Sequence, residues 1–173
     1  MMMKRLLWGL AALIILLSVS ACQHNAAAQR IPPGCQVGKK YTDVIGLQVN
    51  DEDQTQTSLS ALIANGKPTI VDFWASWCGP CIREIPGLQA LWQKYEGKIN
   101  VVGIAIGDYV YDTEKAIQAL GITYPVISSP EEAAKAYGIQ SIPQIILIDG
   151  TGIIRANGLR GEAIEDALKI HIQ

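Results

Sequence analysis

The chain has 173 residues, 49% of them apolar and 17% charged, with a formal net charge of −2. That is an ordinary globular balance with enough apolar material for one core-forming domain. No basic stretch or basic–aromatic interleaving is present, which argues against a nucleic-acid-binding protein.

The first residues differ from the rest. Lys4 and Arg5 precede a charge-free run, Leu6 to Leu17, and the small residues of Ser18-Val19-Ser20-Ala21 follow. This is the pattern of a signal peptide over 1–21, and the run falls short of the roughly 20 apolar residues of a membrane span. Val19-Ser20-Ala21-Cys22 resembles the lipobox of bacterial lipoproteins, a resemblance that implies a diacylglycerol on Cys22 and cleavage just before it. The polar, Ala-rich stretch that follows is read as a flexible tether, residues 22–36, leading to a single domain over 37–173.

Within the domain, Tyr41–Val49 carries β-favouring residues broken at Gly46 and predicts a strand or hairpin. Ser58–Ile63 reads as a short helix capped by Thr57 or Ser58 and stopped at Gly66-Lys67-Pro68. Thr69–Ala75 and Ile99–Ile106 are short, nearly continuous apolar runs, as expected of strands buried on both faces. Between them, Leu88, Leu91, Trp92 and Tyr95 recur at helical spacing, so a helix is expected from Cys78 to Tyr95, bent or broken at Pro86. Next come a helix over Glu114–Leu120 capped by Asp112 or Thr113, a short strand over Tyr124–Ile127, and a helix over Glu131–Tyr137 behind Pro130. Strands Gln144–Ile148 and Ile153–Asn157 flank Asp149-Gly150-Thr151-Gly152, a hairpin signal, and a last helix covers Gly161 to Ile170. The order predicts an α/β fold, a mixed central sheet covered by helices on both faces.

Trp77-Cys78-Gly79-Pro80-Cys81 falls where a buried strand gives way to a helix. Two cysteines at this spacing can close a small disulfide ring. The first faces the free amides and the positive dipole end of the helix, which favour a thiolate, the attacking species in disulfide exchange. Cys81, one turn further in, is placed to resolve a mixed disulfide. Two other arrangements compete: half of a zinc site, for which Cys35, His24 and His171 are the remaining candidates in unsuitable spacing, or a purely structural disulfide. Asp72 lies inside the apolar run beside Ile70, Val71, Phe73 and Trp74, where an unpaired carboxylate tends to take up a proton and serve as an acid or base near neutral pH.

The segment Val71-Asp72-Phe73-Trp74-Ala75-Ser76-Trp77-Cys78-Gly79-Pro80-Cys81 resembles the active-site segment of thioredoxins. The wider pattern from Val37 is similar to the membrane-tethered TlpA and ResA branch of that superfamily, with its N-terminal β extension and additional helix–strand piece. The resemblance implies a thioredoxin fold, Cys78 as nucleophile, Cys81 as resolving cysteine, and Asp72 as acceptor of the Cys81 proton through water. It also implies a cis Ile142–Pro143 bond in a loop facing the disulfide, with the Ile142 backbone pairing with a substrate peptide. Trp77, Gly79, Pro80, Ile142 and Pro143 are the expected substrate-binding residues. Cys35 is left open, either a bystander thiol near the tether or a partner in regulatory or intermolecular pairing.

Gly79-Pro80 between the cysteines resembles reducing thioredoxins, whereas the strongly oxidising members carry a histidine there. The expected activity is therefore reduction of disulfides in extracytoplasmic client proteins by a monomer anchored through its N-terminal lipid to a bacterial membrane, facing the periplasm. The redox-active disulfide is expected to be the sole prosthetic element, with no metal, and a membrane thiol reductant of the DsbD or CcdA kind to be the donor. A peroxiredoxin-like peroxidase is a rival, although the Pro-x-x-x-Thr/Ser-x-x-Cys setting it needs is missing upstream of Cys78. A non-catalytic binding module on the same scaffold is the other.

Overall fold

The computed structural model describes residues 35–129 and 131–172. The expected signal segment, Cys22, most of the tether and the Pro130 helix start lie outside those residues. In chain order the elements are β1 (Ile45–Gln48), β2 (Gln56–Ser58), α1 (Leu59–Ile63), β3 (Thr69–Trp74), α2 (Gly79–Lys94), β4 (Asn100–Ala105) and α3 (Val110–Leu120), then β5 (Val126–Ser128), α4 (Glu132–Tyr137), β6 (Gln144–Ile148), β7 (Ile154–Asn157) and α5 (Glu162–Lys169).

The strands form one seven-stranded sheet in the order β2-β1-β5-β4-β3-β6-β7. β3 pairs in parallel with β4, which pairs in parallel with β5, and the other pairings are antiparallel. The mixed sheet of the sequence reading is therefore present. β3 lies between β4 and β6, and all six of its residues are buried, as its apolar run requires. Side chains alternate along a strand. Ile70 and Trp74 join the core under α2, α3 and α5, while Val71 and Phe73 join the core under α1 and α4. Asp72, on the Ile70 and Trp74 side, is thus directed into the same core as the helix that carries the cysteines.

Four local expectations are corrected. Gly46 does not break the first strand but sits inside β1, because a Cβ there would lie 2.3 Å from the Ser128 carbonyl oxygen on β5. Pro86 does not interrupt α2, which runs unbroken from Gly79 to Lys94. α3 begins at Val110 rather than Glu114, with Tyr109 at the N-cap, so neither Asp112 nor Thr113 caps it. Asp112 lies in the first turn, where a negative charge suits the helix dipole, and Thr113 is buried. Tyr124 precedes β5 instead of starting it. The Ser58 cap is present: its hydroxyl accepts from the Ala61 amide at 3.1 Å.

Candidate active site

Because β3 and β4 run in parallel, their carboxyl ends lie side by side, and the loops leaving them meet. The turn from β3 into α2 is fixed by the loop after β4. The Asp108 carboxylate accepts from the Ser76 amide at 2.6 Å and from the Ser76 hydroxyl at 2.9 Å. The Trp77 indole N–H donates to the Gly107 carbonyl at 2.9 Å, leaving the ring 66% exposed. These bonds hold the chain immediately ahead of Cys78 from two sides.

Cys78 is the N-cap of α2, and its Sγ accepts from the Cys81 amide at 3.2 Å. The first turn of a helix has amides with no partner inside the helix, and here one points at the sulfur that would carry negative charge. Cys78 and Cys81 form a disulfide with an S–S distance of 2.05 Å. Cys78 is 4% exposed and Cys81 is inaccessible, so of the two sulfurs only that of Cys78 can be approached from outside. Gly79 and Pro80 are exposed beside it.

A groove of about 530 Å³ runs past the disulfide between the Trp77–Pro80 turn and the loop Ile139–Ile142, with Ile106 and Ala134 at its base. The Ile142–Pro143 peptide bond is cis. Ile142 is half-buried along the groove, whereas Pro143 is buried behind it and not part of the lining. The Arg160 guanidinium donates to the Pro143 carbonyl and to its neighbour's, Leu159, and so ties the proline loop to the segment that leads into α5.

Asp72 is completely buried, and neither carboxylate oxygen has a hydrogen-bond partner among the described residues. Burial pushes its carboxyl up from 3.8 to about 7; the Arg160 guanidinium pulls against that and the Glu84 carboxylate adds to it. Glu84 itself accepts from the Gly161 amide at 3.0 Å, next to Arg160. The carboxyl therefore changes protonation near neutrality, as a proton acceptor for a thiol must.

Cys35, expected near the tether, is instead 4% exposed in the core under α1 and α4, on the opposite side of the sheet from the disulfide. Its carbonyl accepts from the Asn157 side chain at 2.6 Å, and burial pushes its thiol up to about 11, away from the thiolate form that redox pairing requires. Three residues that shape the site escaped the sequence reading: Gly107, Asp108 and Arg160. Asp108 could have been found from its place three residues past the strand parallel to β3. Arg160 offers no such signal, since its contact is made across the fold.

The similarities of the chain agree with this geometry. It is 29% identical over 110 residues to the thiol-disulfide oxidoreductase ResA of Geobacillus thermodenitrificans, a match that covers 62% of this chain and 63% of the relative, less than two thirds of its length. It is 27% identical over 158 residues, 89% of each chain, to the thioredoxin-like protein YneN of Bacillus subtilis. Among solved structures, a thiol:disulfide interchange protein of the thioredoxin family from Chlorobium tepidum superposes with a TM-score of 0.68 at 27% identity, over 80% of this chain and 99% of that one. The thioredoxin fold implied by the sequence is therefore the fold of the chain. The AhpC/TSA family model matches residues 37–157, from just after Cys35 to the end of β7, and the chain belongs to the AhpC/TSA family.

Proposed function

We propose that the chain is a thiol–disulfide oxidoreductase that reduces disulfides in extracytoplasmic proteins. The observation that carries the reading is the Cys78–Cys81 pair at the start of α2, one sulfur's residue lining the groove and facing a helix amide and the other fully buried behind it. In the reduced protein the Cys78 thiolate attacks one sulfur of a client disulfide, forming a mixed disulfide and expelling the other client sulfur as a thiolate. The client chain lies in the groove against Trp77, Gly79, Pro80 and the Ile142 backbone, with Pro143 shaping the loop from behind. Cys81 passes its proton through water to Asp72 and attacks the Cys78 sulfur. The second client sulfur then leaves and the Cys78–Cys81 disulfide forms, so the client gains two electrons that the cysteine pair loses.

The absence of a histidine between the cysteines favours this direction, because the thiolate form then lacks the stabilisation such a histidine supplies. Two further parts of the reading rest on the sequence: export with a lipid on Cys22, from Val19-Ser20-Ala21-Cys22, and re-reduction by a membrane thiol donor of the DsbD or CcdA kind. A Cys81→Ser variant tests the activity. It is expected to accumulate covalent complexes with client proteins that dithiothreitol releases. If no complexes form, and Cys78→Ser keeps full biological activity, the chain is a binding module instead.

A further inference from the structure

Asp72 is not the only buried polar group in its surroundings without a partner. Among the described residues the Trp74 indole N–H and the Tyr124 hydroxyl are also buried and unbonded; a further such atom, Thr113 Oγ1, is on α3. A buried N–H or O–H left unpaired is costly, and native folds seldom tolerate several together. Here they share one place. Asp72 pairs in register with Gly103 on β4, and Trp74 is two residues along on the same face of β3. From Gly103 a Cβ would meet Trp74 Nε1 at 3.0 Å and the Tyr124 ring at 3.5 Å, so both side chains occupy the space that a residue larger than glycine would fill. Burial raises the proton affinity of the Tyr124 hydroxyl, and the Asp72 carboxylate is near enough to raise it further.

The groups facing Asp72 can be named from every side. α2 presents Cys81 and Glu84, the loop before α5 presents Arg160, and the loop before β5 presents Tyr124. β4 offers Gly103 and β6 offers Ile145, neither of which carries a charge. Among the described residues no cation is bonded to the carboxylate. The two neutral donors, Trp74 and Tyr124, are what the core provides instead, and a buried water needs two to four polar partners of this kind.

We propose that Trp74 and Tyr124 are positioning residues for Asp72: their N–H and O–H, bridged to the carboxylate by bound water, set its proton affinity and hold the water through which the Cys81 proton reaches it. This rests on the reading of Asp72 as proton acceptor. Donors directed at a carboxylate favour its charged form. Tyr124→Phe removes one of them while keeping the ring, and is therefore expected to make Asp72 hold its proton more tightly.

The test is a carbon-13 carboxyl titration of Asp72 in the full, oxidised protein, with Asp72→Asn assigning the signal. Tyr124→Phe is expected to raise the midpoint by about half a pH unit or more, a roughly threefold gain in proton affinity, and Trp74→Phe to do the same. An unchanged midpoint in folded Tyr124→Phe overturns the proposal, and that variant alone decides if Trp74→Phe does not fold. A merely structural hydroxyl would leave the midpoint in place and, being unpaired, make the phenylalanine variant as stable or more so. The reading of Asp72 as acceptor fails separately, if Asp72→Asn keeps the wild-type pH profile for closing the Cys78–Cys81 disulfide.

Discussion

At the scale of single residues, the carboxyl of Asp72 is the feature that works against stability. Its proton affinity is raised in the folded chain, to about 7 from an ordinary 3.8. Between those values the folded state binds more protons than the unfolded one, so stability falls as pH rises through that window, by about 1.4 kcal/mol per pH unit. Below it the penalty vanishes; above about pH 7 it is fully present. Asp72→Asn is therefore expected to stabilise the protein by ~2–4 kcal/mol at pH 8 and by almost nothing at pH 3.5, measured by urea unfolding, while slowing the release of mixed disulfides. Cys35 makes the opposite case. As a buried thiol it is expected to resist alkylation in the native protein at pH 8, and Cys35→Ser is expected to cost about 1–3 kcal/mol without changing the rate of disulfide exchange. Asp72 was legible in the sequence because a charge inside an apolar run stands out. Cys35 was not, because what buries it lies far along the chain, where Asn157 meets its carbonyl.

At the scale of elements, the readable ones were those whose signal is local. β3 and β4 announce themselves as apolar runs, α2 by its helical spacing, and Ser58 as a cap. The start of α3 was misplaced because the residue best suited to cap it, Asp108, uses its carboxylate on Ser76 and on the Tyr109 amide instead. Gly46 was misread because its reason, contact with the β5 backbone, depends on a strand about 80 residues later. Asp108→Ala is expected to loosen the turn before Cys78 and slow its reaction with a small disulfide about tenfold, with a loss of stability of about 1–2 kcal/mol. Gly46→Val is expected to prevent β1 from pairing with β5, seen as loss of amide-exchange protection at Leu47, Val49 and Ser128 while β3, β4 and β6 stay protected.

At the scale of the whole molecule, the site is a consequence of the sheet. Parallel pairing of β3 with β4 gathers the Cys78 turn and the Gly107–Asp108 loop at one end, and antiparallel β6 enters the same end through Pro143. The alternation of elements foretold a mixed sheet covered on both faces, and the cysteine pair foretold where its chemistry lies. What no local pattern held was the set of contacts closing the site across the chain: Asp108 to Ser76, Arg160 to Pro143, and Trp74 with Tyr124 beside Gly103. The proposed exchange chemistry depends on the acidity of one thiol. Alkylation of Cys78 in the reduced protein, followed from pH 4 to 10, is expected to show a midpoint clearly below the value of about 8.5 for free cysteine, with Cys81 reacting far more slowly. A midpoint at or above that value, with both sulfurs reacting alike, would contradict it.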